Sequence, residues 1–210
     1  MKFTIVIGSG GHAKVVIDIL REQPDCELIG CLSPEPIGSV ANGVRVIGDD
    51  GLLPALFRDG AGHAFVALGD NRLRAKMLHH VSSLGFGVLN AISRHAVLSP
   101  SVTVGAGVAI MPGAIINADA VISDGVIVNT GATVDHDCRL DAHCHIAPGV
   151  NLAGNVHVGS GAFLGTGVRV VPGVHIGEWS TVGAGAVVIS DLPDNVVAIG
   201  VPARITRQRA

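Results

Sequence analysis

Two patterns of apolar positions divide the chain near residue 95. Up to residue 92, short apolar runs alternate with stretches of helical spacing. Phe3 to Ile7 is short, apolar and β-branched, which predicts a buried strand. Gly8-Ser9-Gly10-Gly11-His12 reads as a turn. Ala13 to Arg21 reads as a helix, with Val15, Val16, Ile19 and Leu20 at helical spacing. Glu27 to Leu32 and Val44 to Ile47 predict two more strands, and Leu52 to Arg58 a helix. His63 to Leu68 predicts a fourth strand, stopped by Gly69-Asp70-Asn71. Arg72 to Leu84 predicts a helix and Gly87 to Ile92 a last strand. This alternation predicts a small parallel α/β sheet.

From Val102 the period changes to six. Val102, Val108, Ala114, Ala120, Val126, Ala132, Cys138, Cys144, Val150, Val156, Ala162, Val168, Val174, Ser180 and Ala186 are all small or β-branched. The residue two further on, from Val104 to Val188, is aliphatic in all fifteen hexads, and the residue before each start is Gly in nine. A sustained six-residue repeat predicts a parallel β-helix. One hexad makes a flat face and a corner, three hexads close a coil, and the fifteen make about five coils. The aliphatic residue should point inward and stack on its equivalent one coil on. Asp191-Leu192-Pro193-Asp194-Asn195 ends the period, and a capping segment should follow. The expected domains are 1–94, an α/β unit; 95–190, the β-helix; and 191–210, a cap.

Composition narrows the function classes. The chain has 210 residues, 29 of them Gly, with 48% hydrophobic and only 3% aromatic, so the core must be aliphatic. Charged residues make up 15% and the net charge is −3, which argues against nucleic acid as a partner. No run of 18 apolar residues predicts a membrane span. The first residues are too short for a signal h-region and lack an Ala-x-Ala site, so a cytoplasmic location is expected. Cys26, Cys31, Cys138 and Cys144 form no C-x-x-C pair and read as free thiols.

Three places carry candidate chemistry. Gly8-x-Gly10-x-x-Ala13 lies between a strand and a helix, where backbone N–H groups meet phosphates in Rossmann-like domains. Leu32-Ser33-Pro34 stands where a dinucleotide fold carries an acid, so a nucleotide or nucleotide-sugar diphosphate suits this turn better than NAD, and a plain tight turn stays open. Gly69-Asp70-Asn71-Arg72 is placed to line the same crevice, and His12 lies in the glycine turn, where a lone histidine is more often solvated. In Asp135-His136-Asp137, inward Val134 sends the three polar residues out near a corner. A histidine flanked by carboxylates is a natural general base, the alternative being a solvated acidic corner. His157 and His175 share a hexad position one coil apart and should stack, a spacing that would permit a metal pair. His145 lies one and a half faces beyond His136, so the two should meet only across subunits packed as a trimer.

These residues resemble a family, the bacterial nucleotide-sugar acyltransferases of left-handed β-helix type, which includes bacillosamine and perosamine N-acetyltransferases and sialic acid O-acetyltransferases. The likeness spans nearly the whole chain. It runs through Gly8-Ser9-Gly10-Gly11-His12, Gly69-Asp70-Asn71-Arg72, Asn129-Thr130 to His136-Asp137, Ala153-Gly154-Asn155-Val156, Phe163-Leu164-Gly165 and Gly200-Val201-Pro202-Ala203. The resemblance implies left-handed coiling, a homotrimer, and acetyl-CoA lying along the prism between neighbouring subunits. It implies His136 as general base, Asp137 as its supporting acid, His145 near the thioester, and Thr166 and Ala184 beside the CoA arm. Gly10, Gly11, His12, Gly69, Asp70 and Asn71 would hold the nucleotide-sugar. The implied reaction is acetyl transfer to the 4-amino group of a nucleotide-linked 4-amino-4,6-dideoxy sugar of GDP-perosamine type, with no metal and no cysteine nucleophile. O-acetylation of a sugar such as sialic acid is the first alternative, and a metal-dependent hydratase of carbonic anhydrase type a remote one. Two departures from the family pattern stand out: Leu32-Ser33 in place of an acid, and Pro148 beside His145.

Overall fold

In the computed structural model, which describes residues 1–208, the first apolar run becomes strand β1, Lys2–Ile7. Helix α1, Gly11–Arg21, follows, then β2, Cys26–Leu32. Next come β3, Val40–Ala41, and β4, Val44–Gly48, then α2, Leu53–Arg58. Strand β5, His63–Val66, helix α3, Asn71–Ser83, and the short strands β6, Gly87–Val88, and β7, Ala91–Ile92, complete this part. The six-stranded sheet has the order β3-β4-β2-β1-β5-β6. It is parallel except at the β3–β4 edge, which pairs antiparallel.

The differences from expectation are local. Helix α1 begins at Gly11, two residues early, and Val15 faces outward while Ala13 and Ile17 turn inward. The strand expected over Gly87 to Ile92 is broken at Leu89-Asn90, where the Asn90 carbonyl accepts a hydrogen bond from Gln23 Nε2 at 2.8 Å. The β3–β4 hairpin was not expected; it turns at Asn42-Gly43, whose φ values of 46° and 77° suit a two-residue turn. Ile5, Ile7, Leu32, Ala64 and Val66 of the strands pack against Leu53 of α2 and Leu78 and Val81 of α3. The chain forms two compact units that divide after Ile92.

From Ser93 the second unit is a prism of two-residue strands. Its first face stacks Ala109–Ile110, Ile127–Val128, His145–Ile146, Phe163–Leu164 and Thr181–Val182. The second face runs from Val97–Leu98 through Thr133–Val134 to Val187–Val188. The third runs from Thr103–Val104 through Arg139–Leu140 to His175–Ile176. Partners stand 18 residues apart, as in Ile116↔Val134, so three hexads do close one coil. Every residue of both inward series from Val108 to Val188 is buried. Each coil donates backbone N–H groups to the next, as in Thr133 N to Val150 O at 2.8 Å, so the strand edges are consumed by stacking.

Corners repeat as strictly as faces. The turn residue before each hexad start has positive φ from Gly107 to Gly185, including the non-glycine Asp119, Asp137, His143, Asn155 and Trp179. The strict period ends at Asp191, but the lattice does not. The bridge Ile176↔Leu192 and the pair Thr181↔Val197 are 16 residues apart rather than 18. Strand Val196–Ile199 therefore joins the first face two residues early, and Arg204–Gln208 pairs with it antiparallel. Ser180, the one hydroxyl in the inward series, serves this short turn. Its Oγ donates to Pro193 O at 2.8 Å and accepts from Val196 N at 3.0 Å.

Candidate active site

His136 and Asp137 occupy the turn between the second and third faces. The lattice above and below them is fixed by Asp137 N to Ala118 O at 3.0 Å and Asn155 N to His136 O at 2.9 Å. Asp137 has φ 59°. Its carboxylate Oδ2 lies 2.8 Å from His136 Nδ1, and both side chains are more than half exposed. A carboxylate only accepts, so the neutral ring carries its hydrogen on Nδ1 and leaves Nε2 bare. The Asp137 hydrogen bond, with help from the charges of Asp135 and Asp137, outweighs desolvation and raises the His136 pKa above its usual value. Asp135 steadies the backbone: its Oδ1 accepts from His136 N at 2.8 Å and from Asn117 Nδ2 at 2.9 Å. Those two donations hold the Asp135 carboxyl below the ordinary range, the Asn117 bond contributing most. The ring of His136 lies over Gly154, one coil on, where a Cβ would fall 2.5 Å from its Cε1 and Nε2.

His145 sits elsewhere on the same prism, on the first face. It is 8% exposed, its ring is edge-on to Phe163 at 5.2 Å, and its Nε2 is 3.2 Å from Asn129 Nδ2. Asn129 in turn accepts from Thr130 N at 2.8 Å. Thr166 and Ala184 stack one coil apart at the turn between the first and second faces. Gly185 N donates to Thr166 O at 2.9 Å, and Gly167 N to Pro148 O at 3.0 Å in the coil before. Thr130, Pro148, Thr166 and Ala184 therefore form one edge of the prism, with His145 on the adjoining face, while His136 and Gly154 lie on the next edge. The expectation that His136 and His145 occupy different parts of the coil holds. Asn129 was named in the sequence reading only as part of a motif, and Asn117 escaped it; Asn117 is one rung from Asp135, which is the signal that could have found it.

The third-face histidines do stack. His157 and His175 have ring centroids 4.6 Å apart, with Nδ1 facing Nδ1 at 3.1 Å, and His157 Nε2 reaches Asp141 Oδ2 at 2.6 Å. Among the described residues no three His, Cys, Asp or Glu side chains gather as a metal site.

In the first unit, β1 and β5 are neighbours whose following helices begin at their C-terminal ends, the switch point where open α/β sheets bind ligands. Gly8 has φ 111°, and a Cβ there would meet Ala67 O at 2.7 Å, so only glycine fits. Gly10 is the N-cap of α1 and supplies no side-chain cap, leaving the N–H groups at Gly11 and His12 turned outward from the helix start. Asp70 caps α3 by accepting from Leu73 N at 2.8 Å. Asn71 Oδ1 accepts from the buried Arg74 at 2.9 Å, and Arg74 also donates to Leu68 O at 3.0 Å and Gly69 O at 3.3 Å. Arg74 thus shapes the whole Gly69-Asp70-Asn71 loop from beneath. A cavity of about 520 Å³ opens beside these turns, lined by Gly8, Ser33, Pro34, Asp50, Lys76 and His80 among others.

His12 is not the solvated loop residue that its isolation suggested. It lies in the first turn of α1, and its Nε2 is buried without a hydrogen-bond partner. Burial, and secondarily the charge of Arg74, lowers its pKa from 6.5 to about 4. The ring is therefore neutral at pH 7. Its stabilising contribution is present above 6.5 and is lost as the pH falls toward 4.

Comparison with known proteins fits this geometry. Residues 4–81 match the family described as PglD N-terminal domain, and residues 155–190 match bacterial transferase hexapeptide (six repeats). The crystal structure of a histidine-to-asparagine mutant of perosamine N-acetyltransferase from Caulobacter crescentus, in complex with CoA and GDP-perosamine, is 52% identical. It superposes with a TM-score of 0.95 over 98% of this chain and 97% of that one. The chain belongs to the perosamine N-acetyltransferase family. Its second unit is accordingly a left-handed parallel β-helix, and its first a Rossmann-like domain. The acetyltransferase domain of PglB from Neisseria gonorrhoeae is 39% identical, with a TM-score of 0.91 over 98% of this chain and 100% of that one. Galactoside O-acetyltransferase of Escherichia coli is 51% identical over 37 residues, 18% of each chain. The chain spans about a fifth of the length of the curated relatives it matches, 20% and 18% for two of them. Among the described residues no helix is long and apolar enough to cross a membrane.

Proposed function

We propose that this chain transfers the acetyl group of acetyl-CoA to the 4-amino group of a nucleotide-linked 4-amino-4,6-dideoxy sugar of GDP-perosamine type. The observation that carries the chemistry is the 2.8 Å contact between His136 Nδ1 and Asp137 Oδ2 at an exposed corner, which puts the ring hydrogen on Nδ1 and leaves Nε2 as the basic nitrogen. The substrates follow from the Caulobacter relative, whose structures hold CoA and GDP-perosamine.

The amine nitrogen attacks the thioester carbonyl carbon. As the C–N bond forms, His136 Nε2 takes the proton from nitrogen, a step worth roughly 10²–10⁴-fold. Asp137 stabilises the imidazolium. The C–S bond then breaks, and the proton passes to the CoA sulfur as it leaves. Acetyl-CoA runs along the prism edge that carries Thr166 and Ala184, with its thioester beside His145. Gly10, Gly11, His12, Gly69, Asp70 and Asn71 frame the nucleotide side, where the uncapped start of α1 favours a diphosphate. Because His136 and His145 occupy different parts of one prism, the working site joins one subunit's His136 edge to its neighbour's CoA edge in a homotrimer.

The test is incubation of the purified chain with acetyl-CoA and nucleotide-linked amino sugars, following free CoA and product mass. The expected product has gained one acetyl group in an amide that survives mild base. A base-labile ester would move the function to O-acetylation, the activity of the galactoside relative that matches 37 residues.

A further inference from the structure

The cavity at the switch point contains a recognition element that the sequence pattern placed elsewhere. The end of β2 carries no acid, and the Ser33 hydroxyl there is already engaged: it accepts from Ser9 Oγ at 2.7 Å and from Glu35 N at 3.2 Å. The Asp49 carboxylate is used within its own turn, accepting from Gly51 N at 2.9 Å. Asp50, two residues beyond the end of β4, is the single carboxylate among the residues lining the cavity of about 520 Å³. The rest of that wall is largely apolar, with Leu32, Pro34, Leu68 and Met77 offering surfaces for a flat ring.

Strand order sets the distance. The sheet runs β4-β2-β1, so a ligand whose diphosphate sits at the turn after β1 crosses β2 before it reaches the end of β4. Each strand step is about 4.8 Å, so Asp50 lies about two steps, roughly 10 Å, from the glycine turn. That separation passes over the ribose and arrives at the base.

We propose that Asp50 is the base-discriminating residue of this chain and that it selects guanine. This rests on the nucleotide-sugar reading above. Guanine presents two adjacent donors, N1–H and the exocyclic amino group, which match the two oxygens of one carboxylate. Uracil and thymine present a single N3–H between two carbonyl oxygens, which a carboxylate repels. Adenine sets a bare acceptor beside its amino group. A carboxylate in this place therefore favours guanine and rejects the other bases, as a difference of affinities requires.

The test is titration calorimetry of the full-length protein with GDP, IDP, UDP and dTDP. IDP differs from GDP only in lacking the amino group. The wild type should bind GDP about tenfold or more tightly than IDP, and UDP and dTDP more weakly still, since hydrogen bonds to charged groups are worth this much. In Asp50→Ala, GDP should weaken roughly tenfold to a hundredfold and the GDP-to-IDP ratio should fall toward one. Asp50→Asn, which loses one acceptor oxygen, should lower the same ratio. The KM for the GDP-linked sugar should rise in both variants. Asp50 is exposed, so both should fold, as an unchanged melting temperature would show. An unchanged GDP-to-IDP ratio in the variants overturns the proposal, and so does a wild-type preference for UDP or dTDP. If the wild type binds none of the four, the nucleotide-sugar reading itself fails, and the proposal fails with it.

Discussion

Asp137 stands where most corners of the prism carry glycine, with φ 59°. The left-handed conformation costs an L-residue of order 1–2 kcal/mol, although aspartate tolerates it better than most. What the chain gains is a carboxylate 2.8 Å from His136 Nδ1. The His136 pKa is raised chiefly by this bond, so Asp137→Asn should move it back down. Because His136 must be neutral to accept a proton, the acid limb of the kcat/KM profile should then shift to lower pH while the plateau falls. An acid limb that stays in place in Asp137→Asn would detach Asp137 from His136. Gly154 supplies the seat of the ring. A Cβ there intrudes on a side-chain tip rather than on backbone, so Gly154→Ala should fold normally. Turnover should nonetheless drop about tenfold to a hundredfold, since small misplacements of a base are costly. Wild-type turnover in that variant would show that the ring position is not critical.

At the scale of elements, the prism was almost wholly legible. The six-residue period determines which residues point inward and which turn, because each coil repeats the geometry of the one before. The first unit was less so. Its strands and helices follow their apolar periods, but the Asn42-Gly43 hairpin and the break at Leu89-Asn90 depend on local turn chemistry and a tertiary hydrogen bond from Gln23. His136, Asp137 and His145 drew attention by residue type and spacing. Asp50 did not, because its role depends on strand order, which single-chain periodicity does not contain. The end of the prism shows the same limit. The register drop from 18 to 16 is visible only in the pairing, and Ser180 is the residue that accommodates it. Ser180→Ala would leave the buried Val196 N unpaired and remove the bond to Pro193 O. It should cost about 1–3 kcal/mol of stability by chemical denaturation. A cost below a few tenths would mean that other groups satisfy them.

For the whole molecule, the mechanism proposed above, which divides the site between the His136 edge and the His145 edge, makes assembly a requirement to be tested. A trimer with the site between subunits predicts complementation. His136→Ala and His145→Ala should each be nearly inactive alone. Unfolded together and refolded as mixed trimers, they should recover roughly a quarter of wild-type activity, the fraction of interfaces in which random mixing leaves both halves intact. No recovery in demonstrably mixed trimers would place both residues in one subunit's site.

Removal of the amine proton by His136 is best checked by comparing wild type with His136→Asn on acetyl-CoA and a GDP-linked 4-amino sugar, measuring turnover by CoA release and substrate binding by calorimetry on the same preparations. Both substrates should bind the variant within a fewfold of wild type while kcat falls by roughly 10²–10⁴-fold. A variant that binds both substrates and turns over at the wild-type rate would contradict it.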